Sequence, residues 1–253
     1  MSEWRTGIGR VRPDEILVRG YDLMGLIGNR PFGDVVYLLL SGELPKGNEG
    51  RMMDALLVAA CEHSVVAPSV QAARYAASAG VPLQAAVAAG TIALGDHHGG
   101  AVDACARALL DARESGLPDT EAARQVSLGL KEEGRRLPGF GHVVHTADPR
   151  ARRLFAVAGD LGFRGPWCAL AEAFEAVTED VFGKRLAMNV DGAMGALLLE
   201  LGLDPRLGKA FYVIARAPGF VAHVHEEQTR ERPYRSVAWE DVDYDGPEPR
   251  PLP

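Results

Sequence analysis

Apolar residues recur every three or four positions through most of the chain. Residues 30–42 (RPFGDVVYLLLSG) carry such a stripe, which stops at Gly42, and residues 48–64 (NEGRMMDALLVAACEHS) repeat the same period. This spacing places the apolar side chains on one face of an α-helix. Both segments are therefore predicted to be helices with one buried face.

Alanine-rich segments continue the helical pattern. Residues 68–80 and 82–95 each begin near a proline and end at a glycine, which is the usual order at helix ends. Further segments with the helical period follow at 120–136, 148–162, 166–183, 191–203 and 205–231. No series of alternating strands stands out, so the predicted fold class is all-α, with a short hairpin near residues 6–18.

The last 15 residues (WEDVDYDGPEPRPLP, 239–253) are acidic and then rich in proline. This composition predicts an extended arm without a core of its own. Two interpretations stay open, a frayed terminus and a strap across a partner subunit.

Composition narrows the class of protein. The 253 residues carry a formal net charge of -7, which makes nucleic-acid binding through general electrostatics an unfavourable interpretation. Three widely spaced cysteines suggest neither a disulfide framework nor a zinc knuckle, so we expect a cytoplasmic protein. The N-terminus has no apolar signal region, and no run of about 18 apolar residues predicts a membrane span.

Two of the histidine segments are candidates for chemistry. His98 and His142 each lie next to a glycine, in GDHHGGA and PGFGHVVH, and a glycine lets a ligand approach both the backbone and the ring. Each histidine, taken alone, is also compatible with a hydrogen-bonded structural role. A metal site is a further alternative, but no helical histidine pair with a nearby carboxylate or thiolate cluster supports it.

Asp191 and several arginines complete the candidate set. Asp191 follows an apolar run and precedes a helix of small residues, so it is either a helix cap or a desolvated general base. Arginine side chains bind carboxylates with two parallel hydrogen bonds. Four arginines near glycine, proline or aromatic residues are candidates for this role: Arg150, Arg216, Arg232 and Arg235.

Five segments, in this order, resemble the signatures of the citrate synthase superfamily over nearly the whole chain. They lie at 16–45, 94–104 (LGDHHGGAVDA), 138–151 (PGFGHVVHTADPRA), 189–192 (NVDG) and 215–234. Within the superfamily the chain is most similar to citryl-CoA lyases, including the lyase module of ATP-citrate lyase. The sequences of the histidine and aspartate segments favour that group over full-length citrate synthases, and so does the short N-terminal region.

The resemblance implies a role for each candidate. Asp191 would exchange a proton with the methyl carbon of acetyl-CoA, His98 would hydrogen-bond the thioester oxygen, and His142 would serve the citryl hydroxyl. His63 and the arginines named above would hold substrate carboxylates, with Arg232 or Arg235 reaching the neighbouring subunit of a homodimer or larger assembly. The loop that would contact coenzyme A consists of Leu137, Pro138, Gly139, Phe140 and Gly141.

The family architecture implies a large helical domain (1–100 and 211–253) and a smaller helical domain (101–210) that closes over the site. The expected activity is cleavage of citryl-CoA to acetyl-CoA and oxaloacetate, with no metal and no cofactor beyond the coenzyme A thioester that serves as substrate. The partners expected are small molecules and further copies of the chain, with no nucleic acid and no membrane.

Three alternatives remain at this point. Condensation by a citrate or 2-methylcitrate synthase would use the same residues, and retention of His98 favours it, because the lyase module of ATP-citrate lyase has another residue there. Val143 and His145 replace residues of the usual GHRVYK-like segment and remove positive charge near the coenzyme A site. The second and third alternatives to citryl-CoA cleavage are a non-catalytic binding subunit and a metal hydrolase.

Overall fold

The structure is a computed structural model that describes residues 4–141 and 147–252. Helices form most of it, which confirms the predicted all-α class. The α-helices are α1 (Leu23–Leu26), α2 (Phe32–Ser41), α3 (Glu49–Ala60), α4 (Pro68–Ser78), α5 (Leu83–Ile92), α6 (Ala101–Glu114), α7 (Asp119–Glu132), α8 (Pro149–Leu161), α9 (Pro166–Phe182), α10 (Val190–Glu200) and α11 (Gly208–Arg230). Short 3-10 helices lie at Pro205–Leu207 and Trp239–Asp241.

A small antiparallel sheet precedes the helices. Strands β1 (Gly9–Arg12) and β2 (Glu15–Val18) pair as the predicted hairpin, and a two-residue strand, β3 (Tyr21–Asp22), adds to β2. Asp14 lies in the turn with a φ of 60°, a conformation that aspartate tolerates better than most residues. Because β1 is exposed along its whole length, the sheet lies outside the main core.

The main core surrounds α10. This helix is buried on nearly every side, and its sequence explains why, because glycine, alanine, methionine and leucine cover its whole circumference. Helices α6, α8 and α9 pack against it. A smaller apolar cluster joins α4 and α5 to the second half of α11 through Phe220 and Val224. Helices α6, α8 and α9 together therefore hold α10 in place from several directions.

The longest helix is α11, with 23 residues and an internal Pro218. Its charged residues distinguish it from a bilayer segment. Within the part of the chain that the structure describes, no helix combines the length and apolar character that crossing a membrane requires. Beyond α11 the chain is exposed, and hydrogen bonds from the backbone N–H groups of Tyr234 and Arg235 to Ser78 attach its first residues to α4.

The loop before residue 142 packs against the first turn of α10 through two glycines. A Cβ atom on Gly192 would lie 2.4 Å from the carbonyl oxygen of Gly139, and one on Gly139 would lie 2.6 Å from the Cα of Gly192. Backbone hydrogen bonds from Asn189 N to Gly139 O (3.0 Å) and from Gly141 N to Ala187 O (2.7 Å) flank this contact. Two stretches of backbone thus approach more closely than any side chain would allow.

We expect Gly192→Ala to lower the free energy of unfolding by about 1–3 kcal/mol, because the new methyl group has no space against Gly139. Gly129→Ala is the matched control. Gly129 also lies inside a helix, but a Cβ atom there meets nothing within 4 Å, so alanine should raise stability by up to about 1 kcal/mol. Urea unfolding followed by circular dichroism measures both changes, and equal effects of the two substitutions would contradict the packing argument.

Candidate active site

A cleft of about 780 Å³ brings most of the predicted site residues together. Its walls come from the first turns of α6, α8 and α10, from α11, and from loops that include the segment after α3. Among the residues that line it are His63, His98, Arg150, Asp191, Arg216 and all of Leu137, Pro138, Gly139, Phe140 and Gly141. His142 and His145 lie outside the described residues. Residues predicted from segments far apart in the sequence therefore share one cavity.

Asp191 lies in the first turn of α10 without capping it. The side chain of Asn189 accepts hydrogen bonds from the N–H groups of Asp191 (2.9 Å) and Gly192 (3.2 Å), so Asn189 is the cap. The interpretation of Asp191 as a helix cap is therefore wrong. Asp191 instead lines the cleft, at the helix end where the backbone dipole favours negative charge.

Tyr212 is a site residue that the sequence did not indicate. It lies on α11, and its hydroxyl donates a hydrogen bond to Asp191 Oδ1. Burial, together with the neighbouring Asp191 carboxylate, raises the pKa of Tyr212 well above its ordinary value, so the hydroxyl remains a donor. Its position four residues before Arg216 was the available signal, because such residues share one helix face.

His98 lies in a tight loop between α5 and α6. Its backbone exchanges two hydrogen bonds with Gly95, both 2.9 Å long, and its ring Nε2 lies 2.8 Å from the buried Ser69 Oγ. Burial and the positive charge of Arg216 lower the pKa of His98, which favours a neutral ring. The geometry thus presents an uncharged imidazole that can donate or accept one hydrogen bond in the cleft.

The two glycines after His98 have packing reasons as well. A Cβ atom on Gly100 would lie 2.6 Å from the carbonyl oxygen of Gly95, and Gly99 has a φ of 78° and lies against the Tyr212 ring. Ligand access was the reason expected from the sequence. The loop itself needs both glycines in order to close.

Arg216 is the most buried cation of the cleft, with only 2% of its surface exposed. Its Nε donates to Ala60 O (2.8 Å), and the guanidinium lies over the Tyr212 ring at 5.6 Å. Its Nη1 has no hydrogen-bond partner among the described residues. Burial lowers the pKa of Arg216, but an arginine remains charged. A buried, incompletely bonded cation is a strong site for an anionic group.

Arg150 is held by a buried aspartate that the sequence analysis did not single out. The Arg150 Nε and Nη2 atoms donate to the two carboxylate oxygens of Asp148 at 3.1 and 2.8 Å. Asp148 also caps α8 and accepts from Val190 N (3.0 Å) at the start of α10. Hydrogen bonds from Arg150 outweigh the effect of burial and lower the pKa of Asp148. The Asp-Pro-Arg order at 148–150 was the signal, since it is typical of a capped helix start.

The other two candidate arginines do not line this cleft. Arg235 forms two hydrogen bonds of 2.9 Å to Glu227, which also pairs with the buried Arg74. Arg232 is exposed. Neither side chain contributes to the cavity of its own chain, so a role in the neighbouring subunit stays a prediction.

Three further arginines lie around the wall formed by 137–141. Arg107, Arg135 and Arg136 line the same cleft, and they were not among the predicted residues. Asn189 fixes this wall, because its Nδ2 donates to Gly141 O at 2.8 Å. The predicted loop therefore lies directly beside Asp191, with cations near it.

The chemistry available in the cleft is acid–base chemistry beside bound anions. It combines a carboxylate, a neutral imidazole, a tyrosine hydroxyl and buried guanidinium groups. Cys105 packs behind Gly192, and burial raises the pKa of its thiol to about 12, which makes it a poor nucleophile. Within 4–141 and 147–252, no three histidine, cysteine, aspartate or glutamate side chains are grouped so that they could share a metal ion.

Comparison with known proteins gives consistent relationships. The family model described as citrate synthase, C-terminal domain, matches residues 45–236. The solved structure of a citryl-CoA lyase from Hydrogenobacter thermophilus is 41% identical, with a TM-score of 0.93, and the match covers 100% of this chain and 98% of that one.

Curated relatives are longer proteins. ATP-citrate synthase beta chain protein 2 of Arabidopsis thaliana is 27% identical over 84% of this chain, and citrate synthase 1 of Mycobacterium tuberculosis is 34% identical over 70% of it. The matches cover 37% and 42% of those two proteins, so the chain spans well under two thirds of their lengths. The family match over most of the sequence confirms the resemblance found in the motifs. The chain belongs to the citrate synthase family.

Proposed function

We propose that this chain is a citryl-CoA lyase, which cleaves citryl-CoA to acetyl-CoA and oxaloacetate. The observation that carries the proposal is the match to the Hydrogenobacter thermophilus enzyme, because it extends over essentially the full length of both chains. The match to the citrate synthase of Mycobacterium tuberculosis covers only 42% of that protein. The cleft is consistent with this substrate, since it combines anion-binding arginines with proton-transfer groups.

Carboxylates of the substrate would bind at the inner end of the cleft. Arg216 offers its Nη1, which has no partner in 4–141 and 147–252, and Arg150 is oriented by Asp148 through its Nε and Nη2. His63 lines the same cavity and would contact another carboxylate oxygen. Charged hydrogen bonds in a buried site fix both the position and the orientation of such a group.

Cleavage needs three proton-handling roles. A base takes the proton of the citryl hydroxyl, and we assign this role to His142 from the family resemblance. The electrons of that O–H bond form the oxaloacetate carbonyl, while the electrons of the breaking carbon–carbon bond delocalise into the thioester as an enolate. His98 would donate a hydrogen bond to the enolate oxygen. Asp191, in its protonated form, would then give its proton to the enolate carbon and release acetyl-CoA.

Two neighbours would orient these groups. If Ser69 donates to Nε2 of His98, the ring proton lies on Nδ1, where it is available to the thioester oxygen. Tyr212 donates to one oxygen of Asp191 and so orients the carboxylate in the first turn of α10. Both contacts fix a side chain whose position decides whether the proton transfer occurs.

Coenzyme A would lie along the wall formed by residues 137–141. The glycines of this wall expose backbone groups to the pantetheine chain. Arg107, Arg135 and Arg136 would supply positive charge to the phosphates, in place of the arginine that the family usually has at the position of Val143.

Assembly, domain movement and location complete the proposal. A homodimer or larger homo-oligomer would allow Arg232 or Arg235 to reach the cleft of a neighbouring subunit, which neither reaches in its own chain.

Closure of 101–210 over 1–100 and 211–253 would exclude water, since residues of both parts line the cleft. The three free cysteines are consistent with a reducing cytoplasm.

Condensation is the second candidate. The 34% identity to citrate synthase 1 of Mycobacterium tuberculosis and the presence of His98 favour it. The same residues would then form the carbon–carbon bond, and the thioester would be hydrolysed afterwards.

We expect purified protein to form oxaloacetate rapidly from synthetic citryl-CoA, measured by coupling to malate dehydrogenase. Asp191→Asn should lower this rate by a factor of about 10² to 10⁴, because the acid for the enolate carbon is lost. Citrate binding should persist in that variant. Rapid thiol release from acetyl-CoA plus oxaloacetate would instead indicate a synthase, and near-normal turnover of the variant would remove Asp191 from the mechanism.

We expect Arg216→Leu to weaken citrate binding by at least about tenfold, because a buried charged hydrogen bond contributes about 1.5–3 kcal/mol. The affinity for coenzyme A should change little. Arg206→Leu is the control, since Arg206 is an exposed arginine that pairs with Asp204. Isothermal titration calorimetry measures both ligands, and an equal loss of both affinities would show that Arg216 acts only on folding.

We expect the ring of His98 to titrate with a midpoint below the usual value of about 6.5. Burial and Arg216 disfavour its charged form, so the unfolded chain takes up this proton first as the pH falls. His98 should therefore reduce stability as the pH falls below about 6.5 toward its folded value. Histidine ¹H–¹⁵N NMR, with His98→Asn for assignment, measures the midpoint. Arg216→Leu should raise it, and a midpoint above 6.5 in the wild type would contradict the argument.

A further inference from the structure

One face of α11 extends from the candidate active site to the segment that follows α3. Tyr212, Arg216, Gly219 and His223 follow one another at intervals of three or four residues and therefore share this face. Tyr212 and Arg216 line the cleft, whereas Gly219 and His223 do not. The two outer residues face the segment that follows α3, which carries His63.

This segment is held against α11 at two backbone positions. The Nε of Arg216 donates to Ala60 O, and a Cβ atom on Gly219 would lie 2.4 Å from the carbonyl oxygen of Cys61. The glycine therefore lets the backbone of 60–62 approach the helix more closely than another residue would. These contacts place the entrance of the segment, and within its turn a backbone hydrogen bond from Ala67 N to Ser64 O (3.2 Å) is supplemented by side chains.

The turn itself depends on Glu62. Ser64 has a φ of 61°, a left-handed conformation that is uncommon for serine. The backbone N–H of Ser64 donates to Glu62 Oε1 across this turn. His63 is the residue between them, so the position of the Glu62 carboxylate constrains the stretch of backbone that carries His63.

His223, which lies on α11, contacts the Glu62 carboxylate. Its ring Nε2 lies 3.0 Å from Glu62 Oε1, and its Nδ1 lies 3.4 Å from Nη1 of the buried Arg74. A guanidinium can only donate, so Nδ1 accepts and the ring proton of a neutral His223 lies on Nε2, facing Glu62. Arg74 is fixed in turn by a 2.6 Å bond to the buried Glu227.

The electrostatics of Glu62 are consistent with this arrangement. Burial by itself would raise the pKa of Glu62, but hydrogen bonds from His223 and from Ser64 N outweigh it, and the pKa is lowered. The side chain is therefore a carboxylate at neutral pH and a strong acceptor for both donors.

We infer that His223 is a positioning residue, which acts through Glu62 to hold His63 in the orientation that binds a substrate carboxylate. The consequence for substrate rests on the proposed function, whereas the placement of His63 does not. His223 does not line the cleft and would not contact a substrate bound there. Its loss should therefore affect carboxylate binding and leave the coenzyme A site unchanged.

The test compares three variants. His223→Ala removes both hydrogen bonds, and His223→Gln is the conservative variant, because its amide can donate to Glu62 and accept from Arg74. His225→Ala is the matched control, since it changes an exposed histidine two residues further along the same helix. Ring signals of His63 in ¹H–¹⁵N NMR, assigned with His63→Gln, report its placement without any ligand. Calorimetry measures the affinities for citrate and for coenzyme A, which report on the proposed carboxylate end and the proposed coenzyme A end of the cleft.

In His223→Ala we expect the His63 signals to shift and the citrate affinity to fall about tenfold, with coenzyme A affinity within twofold of the wild type. His223→Gln should restore both readouts, and His225→Ala should change neither. Unshifted His63 signals, or equal losses for citrate and coenzyme A, would overturn the inference. Shifted His63 signals in a protein that binds no citrate even as wild type would support the placement and contradict the proposed function.

Discussion

The close approach of two backbones at Gly139 and Gly192 is the constraint on which the rest of the site depends. It brings a loop that contributes a wall of the cleft against the first turn of the most buried helix. Asn189 joins both sides, since it caps the helix through its side-chain oxygen and bonds the loop through its amide nitrogen. Asp191 is thereby presented at a helix N-terminus beside the wall formed by residues 137–141, in a position that its own flexible side chain could not define.

Exposed and buried arginines of this acidic protein are paired in different ways. Exposed arginines such as Arg206 pair with carboxylates at the surface, where such pairs contribute little. Arg216 and Arg74 are buried, and each is accommodated differently. Arg74 is surrounded by carboxylates of α11, whereas Nη1 of Arg216 has no hydrogen-bond partner among the described residues. Incomplete pairing of a buried cation is the arrangement that the proposed carboxylate site requires, because a ligand can then take the place of a protein partner.

Sequence patterns were sufficient for α2 to α5, α7 to α11, the hairpin and the family, because each of these leaves a local or ordered signature, whereas α1 and α6 were not among the predicted helices. They also supplied His63, His98, Asp191, two arginines and the wall 137–141 of the cleft. They did not supply Tyr212 or Asp148, since these act through contacts between elements distant in the chain. The two interpretations of Asp191 could not be separated either, because the choice depended on a neighbour two residues earlier. Asn189 has the same capping chemistry, and only the folded backbone shows which side chain turns toward the helix end.

The hydrogen bonds of Asp148 determine how much of the charge of Arg150 would remain for a ligand in the proposed function. This one carboxylate caps α8, accepts from the start of α10 and occupies the Nε and Nη2 atoms of Arg150. An arginine with all its donors free would hold a dicarboxylate tightly and surrender it slowly. Arg150 shares its charge with a permanent internal anion, so the attraction left for a ligand is moderate. Under the proposed function, the same aspartate that orders two helices would thus limit the residence time of a carboxylate at Arg150, which would link turnover to the architecture of the core.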